Sequence, residues 1–302
     1  MKIIIILGPT ATHKTQLSLC IADKFPVEII SADSMQFYRG MEIGTDKVGK
    51  DIRNKVQHHL IDVVTVQEEF NVAEFKRYAE VAISNIFKRK KIPLIVGGSG
   101  LYIRSITEGF PVEFSAPPDA VLRKELNMLS FAVLRKMAES IDKDASDRVN
   151  DRKRLIRIIE FFRQTGCKIS SIENKEVRYE FLKIGLTKER KLLYRDIEKR
   201  VEKMFDKGFV AEVQRLRDIY PNWSKTALQA IGYREVLQYL DGTISFEKAK
   251  EEIKKRTRHL AKKQITWFKK ENNVHWINTA DLNDTKKQAE KLVKAFLYEH
   301  SN

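Results

Sequence analysis

Gly8-Pro9-Thr10-Ala11-Thr12-His13-Lys14-Thr15 follows the apolar run Ile3-Ile4-Ile5-Ile6-Leu7. Behind it come Leu17, Leu19, Ile21 and Ala22, spaced like one face of a helix until Pro26. Strand, glycine-led loop and helix is the context in which G-x-x-x-x-G-K-[ST] binds phosphate. Backbone N–H groups and the helix N-terminus would meet phosphate oxygens, Lys14 would add an ammonium, and the Thr15 hydroxyl would ligate Mg²⁺. One position departs from the pattern. His13 stands where glycine is expected, and a Cβ is poorly tolerated at positive φ, so strain or a shifted loop is expected.

The chain has 302 residues, enough for one large α/β domain with an insertion, or for two domains. Fifty-six Lys and Arg against 41 Asp and Glu leave a net charge of +15. That excess points to a polyanion, nucleic acid first and an anionic membrane second. Cys20 and Cys167 lie far apart with no metal-ligand spacing, which argues against a zinc site. The Ile3–Leu7 run is too short for a signal peptide or a membrane span. A soluble, cytosolic protein, not attached to a membrane and monomeric, is expected.

Val27-Glu28-Ile29-Ile30-Ser31 reads as a second strand leading into Ala32-Asp33-Ser34-Met35-Gln36. Ligands sit beyond the carboxyl ends of parallel strands, so Asp33 should share an edge with the phosphate loop. A carboxylate there can hold Mg²⁺ through water, take a proton, or cap the next segment. His58-His59 invites a metal reading, but neighbours on a strand point to opposite sides, so structural histidines are expected. Asn71-Val72-Ala73-Glu74 has the form of a capping box. The helix it opens should bury Phe75, Ala79, Ala82, Ile83 and Ile86, and its basic end Lys88–Lys91 suits the helix dipole. Ile92–Val96 reads as a buried strand ending at Gly97-Gly98-Ser99-Gly100, so Lys14, Asp33 and Ser99 should face one cleft.

Phe110–Pro118 carries three prolines and reads as a linker. From Asp119 to about Lys183 the apolar spacing is helical, and Lys153, Arg154 and Arg157 share one side of a helix. Lys183–Leu186 should return to the sheet, with Thr187 capping the next helix. Further helices are expected over Val210–Ile219 and Leu228–Leu240, then from a Ser245 cap through Lys270. Val274–Ile277 should be a strand and Lys286–Tyr298 a closing helix. Between Lys254 and Lys270 every charge is positive, a pattern that needs solvent or a partner. The fold class is therefore α/β: a P-loop NTPase-like parallel sheet flanked by helices, with a helical insertion domain. Residues 1–110 and 183–302 would form the core and 111–182 the insertion.

Several stretches together resemble one family, the tRNA dimethylallyltransferases, also called bacterial tRNA isopentenyltransferases. They are Gly8–Thr15, IISADSMQFYRG (29–40), MEIGTDK (41–47), HHLID (58–62), VGGSGLY (96–102), QAIGYRE (229–235) and RHLAKKQITWF (258–268). The resemblance implies transfer of a dimethylallyl group from its diphosphate to the exocyclic amine of the adenine just 3′ of the anticodon. It implies that Gly8, Pro9, Thr10, Ala11, Thr12, His13, Lys14 and Thr15 cradle the diphosphate with Mg²⁺, and that Arg200 lies near it. Asp33 would be the general base, with Ser99 where the family usually has threonine. Asp33, Ser34, Met35, Gln36 and Ser99 would contact tRNA at its anticodon stem-loop, as would Lys153, Arg154, Leu155, Ile156 and Arg157. The family has a further tRNA-contacting arginine aligned with Val121, a place that Arg123 could fill. Asp196 stands where many members have arginine. The phosphate loop alone also fits a kinase or another phosphotransferase.

Overall fold

The computed structural model describes residues 1–109, 118–172 and 177–298. Of the expected linker, 110–117 lies outside these residues. The chain divides into two compact units, Met1–Thr107 with Arg178–Asn302, and Glu108–Val177.

The larger unit is built on six parallel strands in the order β3-β2-β4-β1-β5-β6. They are β1 Lys2–Leu7, β2 Val27–Ser31, β3 His58–His59, β4 Ile92–Gly97, β5 Glu180–Thr187 and β6 Val274–Asn278. Ile3 to Leu7 are fully buried because β1 has strands on both sides and helices over both faces. Alternation then sorts its side chains. Ile3, Ile5 and Leu7 join the core under α3 (Val72–Lys88), α4 (Gly100–Thr107), α10 (Phe209–Ile219), α11 (Tyr233–Leu240) and α12 (Phe246–Phe268). Ile4 and Ile6 join the core under α1 (Lys14–Lys24) and α13 (Leu282–Tyr298). Because all strands run the same way, the loops after β1, β2, β4 and β5 open on one edge.

The capping box forms: the Asn71 side chain accepts from Ala73 and Glu74, and Glu74 accepts from the Asn71 N–H. Elsewhere the boundaries move. The sheet resumes at Glu180, three residues before the expected start, because β1 offers a partner from Lys2 onward. Thr187 is no helix cap. It ends β5, and its carbonyl accepts from the Thr279 N–H, while α9 (Arg190–Asp206) begins three residues later without a side-chain cap. The single helix expected over Leu228–Leu240 is broken. Ala227–Gln229 is one 3-10 turn, Gly232 takes φ +99°, and only then does α11 start. The long helix from Ser245 ends at Phe268, before Lys270, and the closing helix starts at Leu282, ahead of Lys286.

The smaller unit packs α5 (Ala120–Met128), α6 (Phe131–Ile141), α7 (Lys143–Asp147) and α8 (Arg152–Thr165) around Leu122, Leu126, Leu134, Ala138, Leu155, Ile156, Ile158 and Ile159. Asp119, Ser130, Asp142 and Asp151 cap the four helices through their side chains. Among the described residues, no helix is long and apolar enough to cross a membrane.

Candidate active site

The loop after β1 is held from several directions. Gly8 sits at φ +149°, and a Cβ there would lie 2.6 Å from the Leu186 carbonyl oxygen, so only glycine fits. His13 is left-handed at φ +60°, as its place in the motif requires, and Ala11 is left-handed too at φ +61°. The second position carries no warning in the sequence. Pro9 O accepts from Lys14 Nζ at 2.7 Å and from Thr12 Oγ1 at 2.8 Å. Arg200 on α9 donates to the Thr10 hydroxyl at 2.7 Å. The Thr10 N–H is taken by Gln264 Oε1 at 2.9 Å, so it is not a free phosphate donor. Thr15 lies exposed in the first turn of α1.

The charges follow from the surroundings. Desolvation pushes the Lys14 ammonium down to about 8, with Asp33 and Asp46 opposing and Arg200 reinforcing. The His13 imidazole is lowered by burial and by Lys188, against the pull of Asp196. Lys188 and Asp196 form an ion pair at 2.7 Å beside the loop. Sequence reasoning gave Lys188 no role, although its position at the end of β5 places it on the site's edge.

Asp33 follows β2, and its Oδ1 accepts from the Met35 N–H at 2.9 Å. The Ser34 N–H donates to Ser99 Oγ at 3.3 Å. A Cβ on Gly97 would meet the Ala32 carbonyl oxygen at 2.2 Å, which is how the two loops come so close. A cleft of about 930 Å³ is lined by Thr10 to Thr15, Asp33 to Gln36, Ile43, Asp46, Lys47, Arg200, Tyr233 and Gln264. It brings together the phosphate loop, Asp33 and Arg200. Ser99 is adjacent through its bond to Ser34 but is not part of that lining.

The 41–47 stretch forms another wall. Buried Glu212 accepts from the N–H groups of Glu42 and Ile43 and from the Tyr233 hydroxyl, fixing that segment against α10 and α11. Lys47 is buried and donates to the Tyr38 carbonyl and to Asp62. The two histidines go separate ways: His58 Nδ1 pairs with the Val56 carbonyl and His59 Nε2 with Glu28. Glu28 also takes Arg89 and Lys91, which push its carboxyl down to about 2. The basic end of α3 thus serves a buried carboxylate as well as the helix dipole.

In the smaller unit the residues expected at tRNA divide. Leu155 and Ile156 have their side chains buried in that unit's interior. Val121 is 71% exposed. Arg123 grips the fully buried Glu160 through two bonds of 2.7 and 2.8 Å, and Arg157 adds a third at 2.8 Å. Arg154 pairs with Asp151 at 3.2 Å, and Lys153 is exposed. On α12 the first part of the one-sign stretch, from Lys254 to Arg258, is answered by acids of neighbouring turns and elements. Arg256 pairs with Glu235, Lys254 with Glu202, Lys255 with Glu252, and Arg258 with Glu198.

A parallel α/β sheet with this loop, a lysine and an arginine on it and a carboxylate across the cleft defines a P-loop enzyme of phosphorylated substrates. Residues 36–271 match the family model described as IPP transferase. A tRNA dimethylallyltransferase of Finegoldia magna is 42% identical over 99% of this chain and 98% of its own length. One of Halothermothrix orenii is 40% identical over 98% and 93%. The solved full-length tRNA isopentenylpyrophosphate transferase of Bacillus halodurans superposes with a TM-score of 0.74 at 34% identity, covering 99% of this chain and 97% of that one. A eukaryotic dimethylallyltransferase solved acting on tRNA gives 0.83 at 27% identity, covering 97% of this chain and 78% of its own. The chain belongs to the IPP transferase family.

Proposed function

We propose that this enzyme transfers a dimethylallyl group from dimethylallyl diphosphate to the exocyclic amine of the adenine 3′-adjacent to the anticodon in tRNA. The observation that carries the reading is the cleft, where Lys14 and Arg200 stand at the phosphate loop and Asp33 lines the same space. Full-length relatives named for this activity support it.

The donor's carbon–oxygen bond breaks, a carbon–nitrogen bond forms to adenine, and one amine proton leaves. Lys14, Arg200 and the free N–H groups of the loop stabilise charge growing on the departing diphosphate. Asp33 accepts the amine proton, its Oδ1 already oriented by the Met35 N–H. Ser99 holds the Ser34 backbone and so the turn that carries Asp33. The adenine must leave the anticodon-loop stack to enter the cleft, which costs less in a loop than in a duplex.

Thr15 and Asp33 offer the hard oxygen ligands that suit Mg²⁺, an ion that takes most of its other ligands from phosphates and water. Bound there, it would neutralise charge on the diphosphate. Ser34, Met35 and Gln36 would touch the nucleotide, and Lys153, Arg154 and Arg157 the phosphates of the stem. A cytoplasmic monomer acting on tRNA is the form we expect.

The test is incubation with labelled dimethylallyl diphosphate or labelled ATP, with and without tRNA, followed by mass spectrometry of the nucleosides. Dimethylallyl adenosine formed only with tRNA and the prenyl donor is expected. Label reaching product from ATP alone would mean a phosphotransferase instead.

A further inference from the structure

We infer that Gln264 on α12 is a positioning residue that ties the donor loop to the turn beneath the proton acceptor; this rests on the prenyl-transfer reading above. Its amide is used at both ends. Oε1 accepts from the Thr10 N–H at 2.9 Å, and Nε2 donates to the Gly98 carbonyl at 3.0 Å. Both distances are ordinary for strong amide bonds.

The turn is shaped to receive α12. A Cβ on Gly98 would lie 2.3 Å from Gln264 Nε2, and one on Gly100 would lie 2.2 Å from the Trp267 ring. Gln264 and Trp267 sit three apart on one helix face, over two glycines that leave room for them. From Gly98 the path continues: Ser99 Oγ accepts from the N–H of Ser34, the residue after Asp33. One side chain therefore links the end of the cleft that binds the leaving group to the end that takes the proton. Arg200 holds the Thr10 hydroxyl and Gln264 holds its N–H, so the loop tip is fixed by protein groups at two points.

The role is geometric. Lys14, Thr15 and the remaining N–H groups can still bind diphosphate with the strap cut, but its placement against the amine and Asp33 is then looser. A misplacement of about 1 Å can cost on the order of 10²-fold in rate. Two neutral hydrogen bonds are a small part of the stability of a chain this size, so the variants should fold.

The experiment measures kcat and the donor KM with tRNA saturating, well below each variant's Tm. Gln264→Leu removes both bonds and should lower kcat on the order of 10²-fold while donor KM stays within about 3-fold. Gln264→Glu keeps the acceptor for Thr10 but sets a carboxylate against the Gly98 carbonyl, and should lower kcat at least ~10-fold. Gly98→Ala drives a Cβ into the same amide, and its double variant with Gln264→Leu should lose no more than either alone. An unchanged kcat in folded Gln264→Leu or Gln264→Glu overturns the inference. So does a loss confined to donor KM, or a double variant showing the product of the two losses. An active wild type with such results sinks only this inference; a wild type that prenylates no tRNA removes the functional reading and this inference with it.

Discussion

Arg200 Nη1 donates to Thr10 Oγ1 at 2.7 Å across 190 residues of sequence. The same guanidinium lies with its Nε 3.8 Å from Asp46, so it spans the loop tip and the 41–47 wall. A planar fork can keep its bond to Thr10 and still present donors to a phosphate, which a lysine's point charge does less well. Arg200→Ala should raise the donor KM at least ~10-fold, the scale of one charge-assisted bond, and Arg200→Lys should restore only part of it. Steady-state kinetics with dimethylallyl diphosphate measures this, and an unchanged KM would remove Arg200 from the donor site.

Asp33→Asn keeps the bulk and loses the base. It should bind tRNA nearly as well and prenylate it ~100-fold more slowly or worse, the usual scale of acid–base catalysis. Single-turnover rates decide it. Wild-type chemistry in the variant would reduce Asp33 to a cap for the Met35 N–H.

Desolvation holds Lys14 at about 8, so its ammonium predominates at pH 7 and fades as pH rises through that value. The kcat/KM for the donor, which reports the free enzyme, should fall above about pH 8. Lys14→Arg stays charged throughout and should flatten that limb, at a lower plateau. A wild-type profile flat to pH 9.5 would show that Lys14 does not titrate there.

His13 pits backbone strain against charge. Its φ of +60° favours glycine, while desolvation together with Lys188 lowers the imidazole and so works against its carrying a charge. His13→Gly should therefore lower the donor KM at both pH 5.5 and pH 8. Weaker binding by the glycine variant at pH 5.5 alone would show that the imidazolium matters more than the strain.

Lys153→Ala with Arg154→Ala and Arg157→Ala should weaken tRNA binding and flatten its salt dependence. Each phosphate that the variant no longer neutralises should lower the log–log slope by roughly 0.7–0.9. Arg123 still grips Glu160 in this variant, so the small unit should stay folded, and a thermal melt checks that. A wild-type slope would make this a solvated face.

Much of the molecule was legible along the chain because it depends on neighbours in sequence. The β-branched run, the glycine-led loop, the Asn71 box and the helical face through Phe75 and Ile86 are local patterns, and each became the element it describes. Asp33, Arg200 and the phosphate loop could be named because motifs carry residue types in order. Other features depended on which residues fold next to which. Glu180 joins β5 because Lys2 is there to pair with it, and Thr187 ends a strand and bonds Thr279 instead of capping a helix. The cations of α12 meet acids on α9 and α11 that no reading of their own stretch could supply. Leu155 and Ile156 became core because an amphipathic helix hides one side, and the motif does not say which. Gln264 reaches Thr10 over 254 residues and Gly98 over 166. A hydrogen bond needs its partners within about 3 Å, and for residues so distant in sequence only the packed sheet and α12 bring them there.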